Sequence, residues 1–286
     1  MSGLIMSFDL ITYGDAFVDV IIGPLKPILL TGQIKANIGQ ITVETSEATI
    51  IGGKIMNRRL NLAPSIEKHG GGSAANVAFA VTKLGSKSGI ITRVGRDEYG
   101  VFIVDQLREA GVDVSQVIVD GRTPTGVSTL LLAEDGSRAS ITYPGACANL
   151  CPADIDVSYI KKTKAVHVTN YYLLPALMGE PLIKTLQKIK EADVILSFDP
   201  GPIPLTYNDE KVKSIIPALK FVDIFQPTID EARCISGFYA PSKIVEKLLT
   251  YGVKSVVLKM GEKGSLIAHN GIKIKIPPFK VKKVID

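Results

Sequence analysis

The sequence has no tryptophan, three cysteines, three histidines and an aromatic content of 6%. Each scarcity narrows the field. Cys147, Cys151 and Cys234 are an odd number without a C-x-x-C pair. No disulfide framework is expected, and a reducing, cytoplasmic setting fits. Cys147 and Cys151 are spaced C-x-x-x-C, but no His/Cys pair follows at zinc-site spacing, so they read as structural or incidental thiols. No stretch approaches the ~18 apolar residues of a membrane-spanning helix, and no membrane partner is expected. The N-terminus lacks a basic leader, and Asp9, Asp15 and Asp19 interrupt its apolar run, so no signal peptide is expected. H-E-x-x-H, G-x-S-x-G and G-x-x-x-x-G-K-[ST] are missing. Zinc protease, serine hydrolase and P-loop chemistry therefore lack their signatures.

Charge of either sign is also modest. Lys and Arg number 33 against 28 Asp and Glu, a net +5. Lys273, Lys275, Lys280, Lys282 and Lys283 cluster late in the chain with Phe279 as the single aromatic residue among them. They read as a solvated strand face, and no nucleic-acid partner is expected. What is present is 286 residues, 46% of them hydrophobic. That is an ordered globular chain with ample core, in one large α/β domain or two small ones.

The period of the apolar residues places the elements. Leu10–Tyr13 reads as a buried strand ending at Gly14, with Asp15 and Asp19 following in GDAFVDV. Ile34–Ile55 alternates and is broken by Gly39, Gly52 and Gly53, as short antiparallel strands are. From Ser73, the residues Ala75, Val77, Ala78, Ala80, Val81 and Leu84 form a helical stripe that Gly85 stops. A strand over 89–94, a helix over 99–110 and a strand near 117–119 follow. Residues 126–143 form two alternating runs joined at Asp135-Gly136, a hairpin signal. Strands at 165–169, 194–198, 221–225 and 254–259 then alternate with helices at 177–191, 209–219, 229–235 and 242–250. Residues 264–276 return to a hairpin around Asn270-Gly271. The expected fold is α/β: one domain over residues 1–286, with a doubly wound, mostly parallel sheet flanked by helices. A small antiparallel β lid is expected from insertions near 34–60 and 126–143.

The sharpest local feature is Gly70-Gly71-Gly72-Ser73-Ala74-Ala75-Asn76, which opens a helix. Glycines there allow close backbone approach, and the free N–H groups suit polar or anionic groups. Gly70-x-Gly72-x-x-Ala75 also matches a dinucleotide fingerprint, but that motif needs a buried strand before it. The preceding APSIEKH does not read as one. A substrate-binding turn is therefore favoured over a NAD site, with a plain helix start as the blander alternative. A lid or loop before Gly70 excludes the NAD reading.

With VGRDEYG and LREAGVDVS, this run resembles the N-terminal signature of the ribokinase-like (PfkB) carbohydrate kinases. That pattern is G-G-x-x-x-N-x-A, a closing Leu-Gly, and V-G-x-D-x-x-G. Gly71, Gly72, Asn76, Ala78, Leu84, Gly85, Gly95, Asp97 and Gly100 satisfy it. The likeness runs from about Phe8 to Asp286. It implies a fold of the ribokinase-like type and ATP-dependent phosphorylation of a hydroxyl on a sugar, sugar acid or nucleoside. Mg²⁺ is the implied cofactor, with a monovalent cation such as K⁺ as a further candidate. A homodimer through the lid strands is the implied assembly.

The resemblance also implies residue roles. Asp19 would accept hydrogen bonds from substrate hydroxyls, with Gly71, Gly72 and Asn76 touching the same molecule. Asp15 is a helper at most, turn formation being its plainer job. Ser73 stands where ribokinases proper carry Lys, so ribose is not singled out. Apart from the resemblance, His69 beside the glycine turn is a candidate to touch substrate, whereas His167, in an apolar strand, reads as a satisfied core residue. Asp199, in Asp199-Pro200-Gly201-Pro202, and Lys259, Gly261 and Gly264 would border the nucleotide. Both segments are otherwise ordinary turns. Glu231 would act through water on phosphate-bound Mg²⁺. Thr228 replaces the pattern's Asn and also forms a capping-box sequence with Glu231. VKKVID resembles the lead-in to D-T-x-G-A-G-D-x-F, with Asp286 as its first Asp, on the metal side. The remainder, which supplies an anion hole and the general base, has no counterpart. The expectation is a domain cut at Asp286, with no assignable catalytic residue and no activity of its own. The rival is a non-catalytic sugar-binding or dimer-forming remnant.

Overall fold

β-branched and aromatic runs between turn residues become the strands of two sheets. The computed structural model describes residues 7–25, 40–42, 65–133, 138–204 and 206–280. Its strands are β1 (Phe8–Tyr13), β2 (Phe17–Leu25), β3 (Gln40–Thr42), β4 (Ser65–Gly71), β5 (Ser88–Gly95), β6 (Asp113–Asp120) and β7 (Gly126–Ala133). They continue with β8 (Arg138–Tyr143), β9 (Thr163–Thr169), β10 (Ile195–Asp199), β11 (Ile224–Phe225), β12 (Ser255–Lys259), β13 (Ser265–His269) and β14 (Ile272–Ile276).

The main sheet runs β14-β13-β12-β11-β10-β9-β1-β5-β6. Pairing is parallel from β6 to β12. It turns antiparallel at the closing hairpins. From β1 the chain adds β5 and β6 on one side, then β9 to β12 on the other. The boundary between β1 and β9 is therefore a topological switch point, and ligands of open α/β sheets bind outside the strand carboxyl ends there.

The second, smaller sheet, β3-β8-β7-β2-β4, stands where the lid was expected. Its antiparallel pairs are β2–β4 and β7–β8, and the pairs β2–β7 and β3–β8 are parallel. Most of the 34–60 insertion, the Asp135-Gly136 turn and the VKKVID run with Asp286 lie outside the described residues. The lid recruits two further strands, β2 and β4, that the alternation near Asp19 and APSIEKH did not announce. Glu67, Lys68 and His69 of β4 are exposed. The strand before Gly70 is thus a solvated lid strand, and the NAD reading falls with it.

Helix α1 (Ser73–Lys83) buries Ala74, Ala75 and Ala78. The sequence stripe also put Ala80 and Leu84 inside. Both are exposed, because α1 turns its small-residue face to Ile90 and Val94 of β5. Methyl side chains let the helix sit close to the sheet. Val18 and Val20 of β2 join this cluster, so the lid is rooted in the core. Helix α2 (Glu98–Ala110) starts at Asp97, whose carboxylate accepts the Gly100 N–H at 2.8 Å. That carboxylate also accepts the Thr125 N–H at 2.7 Å, so the V-G-x-D motif acts here as a brace between β5 and β7. Farther on come α3 (Glu180–Lys190), α4 (Ile229–Ser236) and α5 (Pro241–Leu249). The helix expected over 209–219 is a short α turn, Asp209–Lys213, then a 3₁₀ stretch, Ile216–Phe221. Pro217 has no N–H for an α-helical ladder. The strand expected over 221–225 shortens to β11 accordingly. His167 is buried with Nδ1 3.0 Å from Ser197 Oγ, a satisfied core residue as expected.

Ala78→Leu would drive a larger side chain between α1 and β5. It should cost about 1–3 kcal/mol of stability by overpacking. The urea unfolding midpoint reads this loss, and an unchanged midpoint would show that the interface has slack.

Candidate active site

The glycine turn is shaped by what glycine lacks. Gly72 has φ 94°, and a Cβ there would come within 2.8–2.9 Å of the backbone of Asp15, Ala16 and Phe17. Any other residue is strained twice, by conformation and by space. At Gly71 a Cβ would overlap the Asp19 carboxylate. The bare backbone is the bed on which Asp19 lies. The side-chain period of β2 sends Val18 and Val20 into the helices and Asp19 to the opposite face.

Asp15 does more than the sequence suggested. It follows β1 and is fully buried. Its Oδ2 accepts the Ser73 N–H at 2.8 Å and the Asn170 Nδ2–H at 2.7 Å, and its Oδ1 accepts the Ala74 N–H at 3.3 Å. Its backbone oxygen accepts the Ala75 N–H at 3.2 Å. The sequence pointed to these helix N–H groups as an open anion site. They are instead taken by the protein's own carboxylate. Burial raises the Asp15 pKa, against the pull of these donors. Burial, and then the charge of Asp15, push Asp19 up to about 6, with His69 opposing. His69 faces Asp19 in the β2–β4 register and is exposed, its Nε2 3.1 Å from Glu67 Oε2. Asn76 is exposed and opens on a groove of about 480 Å³ that His69, Gly70, Phe79, Gln106 and Glu109 help to line.

The second group gathers at the carboxyl ends of β10, β11 and β12. Asp199 ends β10 and Lys259 ends β12, and the two form an ion pair across the short β11. Thr228, beyond β11, bridges to Lys259. Thr228 caps α4, and its N–H donates to Glu231 Oε2 at 2.8 Å while the Glu231 N–H donates to Thr228 Oγ1 at 3.4 Å. The capping box read from sequence is present. Burial pushes Glu231 up to about 7, with Asp199 adding to the rise and Lys259 opposing it. Among the described residues, no group of three or more His, Cys, Asp or Glu converges to hold a metal.

The two glycines of the Lys259–Gly264 turn differ. Around Gly261, φ 56°, a Cβ would find nothing within 4 Å, so its backbone faces open space. At Gly264, φ 79°, a Cβ would overlap the Ile276 carbonyl oxygen, so this glycine is required by the chain leaving β14. Asp286 lies outside the described residues. Sequence reasoning missed Asn170 and the Asp199–Lys259 pair. Asn170 ends an apolar run in a left-handed conformation, φ 60°, and only its residue type hinted at that.

Comparison with known proteins bears on this layout. A profile described as pfkB family carbohydrate kinase matches residues 42–286. The chain is similar to a 5-dehydro-2-deoxygluconokinase of Clostridium botulinum, 28% identical over 256 residues, covering 86% of this chain and 74% of that protein. It is also similar to a probable fructokinase-5 of Arabidopsis thaliana, 31% identical, covering 75% of this chain and 68% of that protein. Among solved structures, a putative ribokinase II of E. coli in complex with ATP and Mg²⁺ aligns with a TM-score of 0.71 at 20% identity. The alignment covers 97% of this chain and 80% of that one. At that identity the likeness speaks for the fold alone. The profile, by contrast, takes in both the glycine turn at Gly70–Gly72 and the Lys259–Gly264 turn across the sheet, and on that match the chain belongs to the pfkB family of carbohydrate kinases.

Proposed function

We propose that this fold transfers the γ-phosphoryl group of ATP to a hydroxyl of a small sugar, sugar acid or nucleoside. One arrangement carries the reading. A largely buried carboxylate, Asp19, is bedded on Gly71 on the β1 side of the switch point. The Asp199–Lys259–Glu231 group stands at the carboxyl ends of the strands on the other side.

The chemistry of each part fits its task. A carboxylate offers about four acceptor sites and suits a polyol. The Lys259 ammonium attracts phosphate oxygens, and Asp199 holds it in place until they arrive. Open space at Gly261 leaves backbone available to a nucleotide. Mg²⁺ is a hard cation that keeps several waters and binds through one or two carboxylates plus phosphates. Glu231 beside Asp199, without a full protein cage, fits that mode. When bound, Mg²⁺ neutralises charge on the phosphoryl oxygens. The lid strands exclude water that would compete with the substrate hydroxyl.

In the pattern this chain resembles, the general base is the last Asp of D-T-x-G-A-G-D. Residues 1–286 contain no such segment. The 286-residue polypeptide is therefore expected to bind its ligands without turnover. A coupled ATPase-linked assay against D-fructose, 2-dehydro-3-deoxygluconate, D-ribose and adenosine checks this. Measurable phosphorylation of any of them would overturn the expectation of inactivity.

Calorimetry with the same four compounds tests the site. Asp19→Asn should weaken binding of whichever compound binds by about 10- to 100-fold, the worth of a hydrogen bond to a charged group. Unchanged affinity would remove Asp19 from the site.

Glu231 supplies a pH signature. Its pKa in the folded protein is about 7 against an ordinary 4.5. A raised acid pKa contributes stability that is present below the unfolded value and lost as pH rises through the folded one. Glu231→Gln keeps the capping acceptor and abolishes this titration. The unfolding midpoint of the variant, relative to the parent, should rise between pH 4.5 and pH 8. His167, which burial shifts the other way, is common to both proteins and cancels. A pH-independent difference would mean that Glu231 is not held in a desolvated place.

A further inference from the structure

Asn170 stands where the two halves of the site meet. It follows β9 at the switch point and is 5% exposed. Its Nδ2–H donates to Asp15 Oδ2 at 2.7 Å. That bond fixes which way the amide faces, because the reverse orientation would set two oxygens against each other. The Oδ1 atom is buried and has no hydrogen-bond partner. An unmade hydrogen bond of this kind is costly and calls for a reason.

The neighbour of Oδ1 supplies one. Gly201, φ 73°, packs against it so closely that a Cβ there would overlap the amide oxygen. The Gly201 N–H donates to Asp199 Oδ1 at 3.1 Å, and Asp199 is the partner of Lys259. The Tyr172 N–H donates to the Pro200 carbonyl oxygen at 3.4 Å, which ties the same segment to the residues after β9. A short chain of contacts thus joins the glycine turn to the cation. It runs from the Ser73 and Ala74 N–H groups to Asp15, Asn170, Gly201, Asp199 and Lys259.

We propose that Asn170 is a positioning residue that couples the sugar-side glycine turn to the phosphate-side Asp199–Gly201 segment, so that the two ligands bind cooperatively. The proposal rests on the kinase reading given above. When Lys259 turns to phosphate oxygens, Asp199 loses the ion pair that fixes its carboxylate and can swing away from the Gly201 N–H. The unpaired Asn170 Oδ1 is the buried acceptor next to that same residue. Glycine at 201 lets the peptide turn toward it. Asn170 is then held at both ends, which stiffens Asp15 and the start of α1. The glycine turn is thereby ordered for substrate before the nucleotide leaves.

Two measurements test this, one of them free of any ligand. In the first, calorimetry measures the affinity of the panel compound that binds, with and without MgATP. The parent chain should bind it about tenfold tighter with MgATP, within the usual range of coupling between sites. In Asn170→Gly, which suits the left-handed backbone, the factor should fall to about one while each ligand alone still binds. A tenfold factor that survives in Asn170→Gly would overturn the proposal. In the second, Lys259→Ala is introduced without ligand, and the ¹⁵N–H signals of Ser73 and Ala74 are recorded. They should move in the parent background and stay in place in the Asn170→Gly background, as a double-mutant cycle requires. Equal movement in both backgrounds, or none in either, would refute the coupling. If no panel compound and no MgATP bind the parent, the kinase reading fails by itself, and the ligand-free cycle alone decides whether Asn170 couples the two segments.

Discussion

The first three N–H groups of α1 have no carbonyl of their own helix to bond, as at the start of any α-helix. In this protein all three go to Asp15, two to its carboxylate and one to its backbone oxygen. The consequences spread outward from there. Because Asp15 is the first buried residue after the β1 turn, the helix is pinned to the central strand. Because the approach is so close, residue 72 must be glycine. Because Gly71 precedes it, the Asp19 carboxylate has a flat place to lie. Removing the carboxylate would leave several buried donors without partners, each costing about 1–3 kcal/mol. Burial first, and then this same charge, raise the pKa of Asp19 next door. One buried carboxylate therefore fixes the shape of the glycine turn and contributes to the electrostatics around Asp19.

The other side of the sheet works by a different balance. Asp199 and Lys259 are side chains at the ends of two parallel strands separated by a two-residue strand. Their pairing compensates a charge that would otherwise face Glu231 alone. Glu231 is divided between a structural duty, closing the α4 cap, and the burial that pushes its pKa to about 7. A carboxylate so placed has the half-free character that the proposed Mg²⁺ role asks of it.

Much of this was legible in the sequence because period and punctuation agreed. Leu10–Tyr13, the 126–143 hairpin and the Asn270-Gly271 turn lie where alternation and turn residues put them. Thr228 and Glu231 announced their cap through spacing alone. What could not be read shares one physical cause: it depends on residues far apart in the chain. Nothing local shows that Asp15 will meet Ser73 or that Asn170 will meet Asp15. Nothing local distinguishes Gly264, which the chain after β14 fills, from Gly261, which stays open. Val18 and Val20 alternate like any strand, and only the tertiary fold reveals that their partner is a helix pair. The α1 stripe erred for a similar reason. Hydrophobicity favoured Leu84, but close helix–sheet contact favoured alanine.

The parallel pairing of β2 with β7 also sets a timetable. Phe17 lies beside Gly126 and Val20 beside Thr129, roughly a hundred residues later in the chain. A ribosome adding ~5–20 residues per second needs about 5 to 20 seconds to cover that distance. Through that interval β2 has β4 available on one side but lacks β7 on the other. Val18, Val20 and the apolar residues after them wait exposed, or shelter against α1 and α2, which are made sooner. The small sheet is thus among the last parts of the N-terminal half to be assembled.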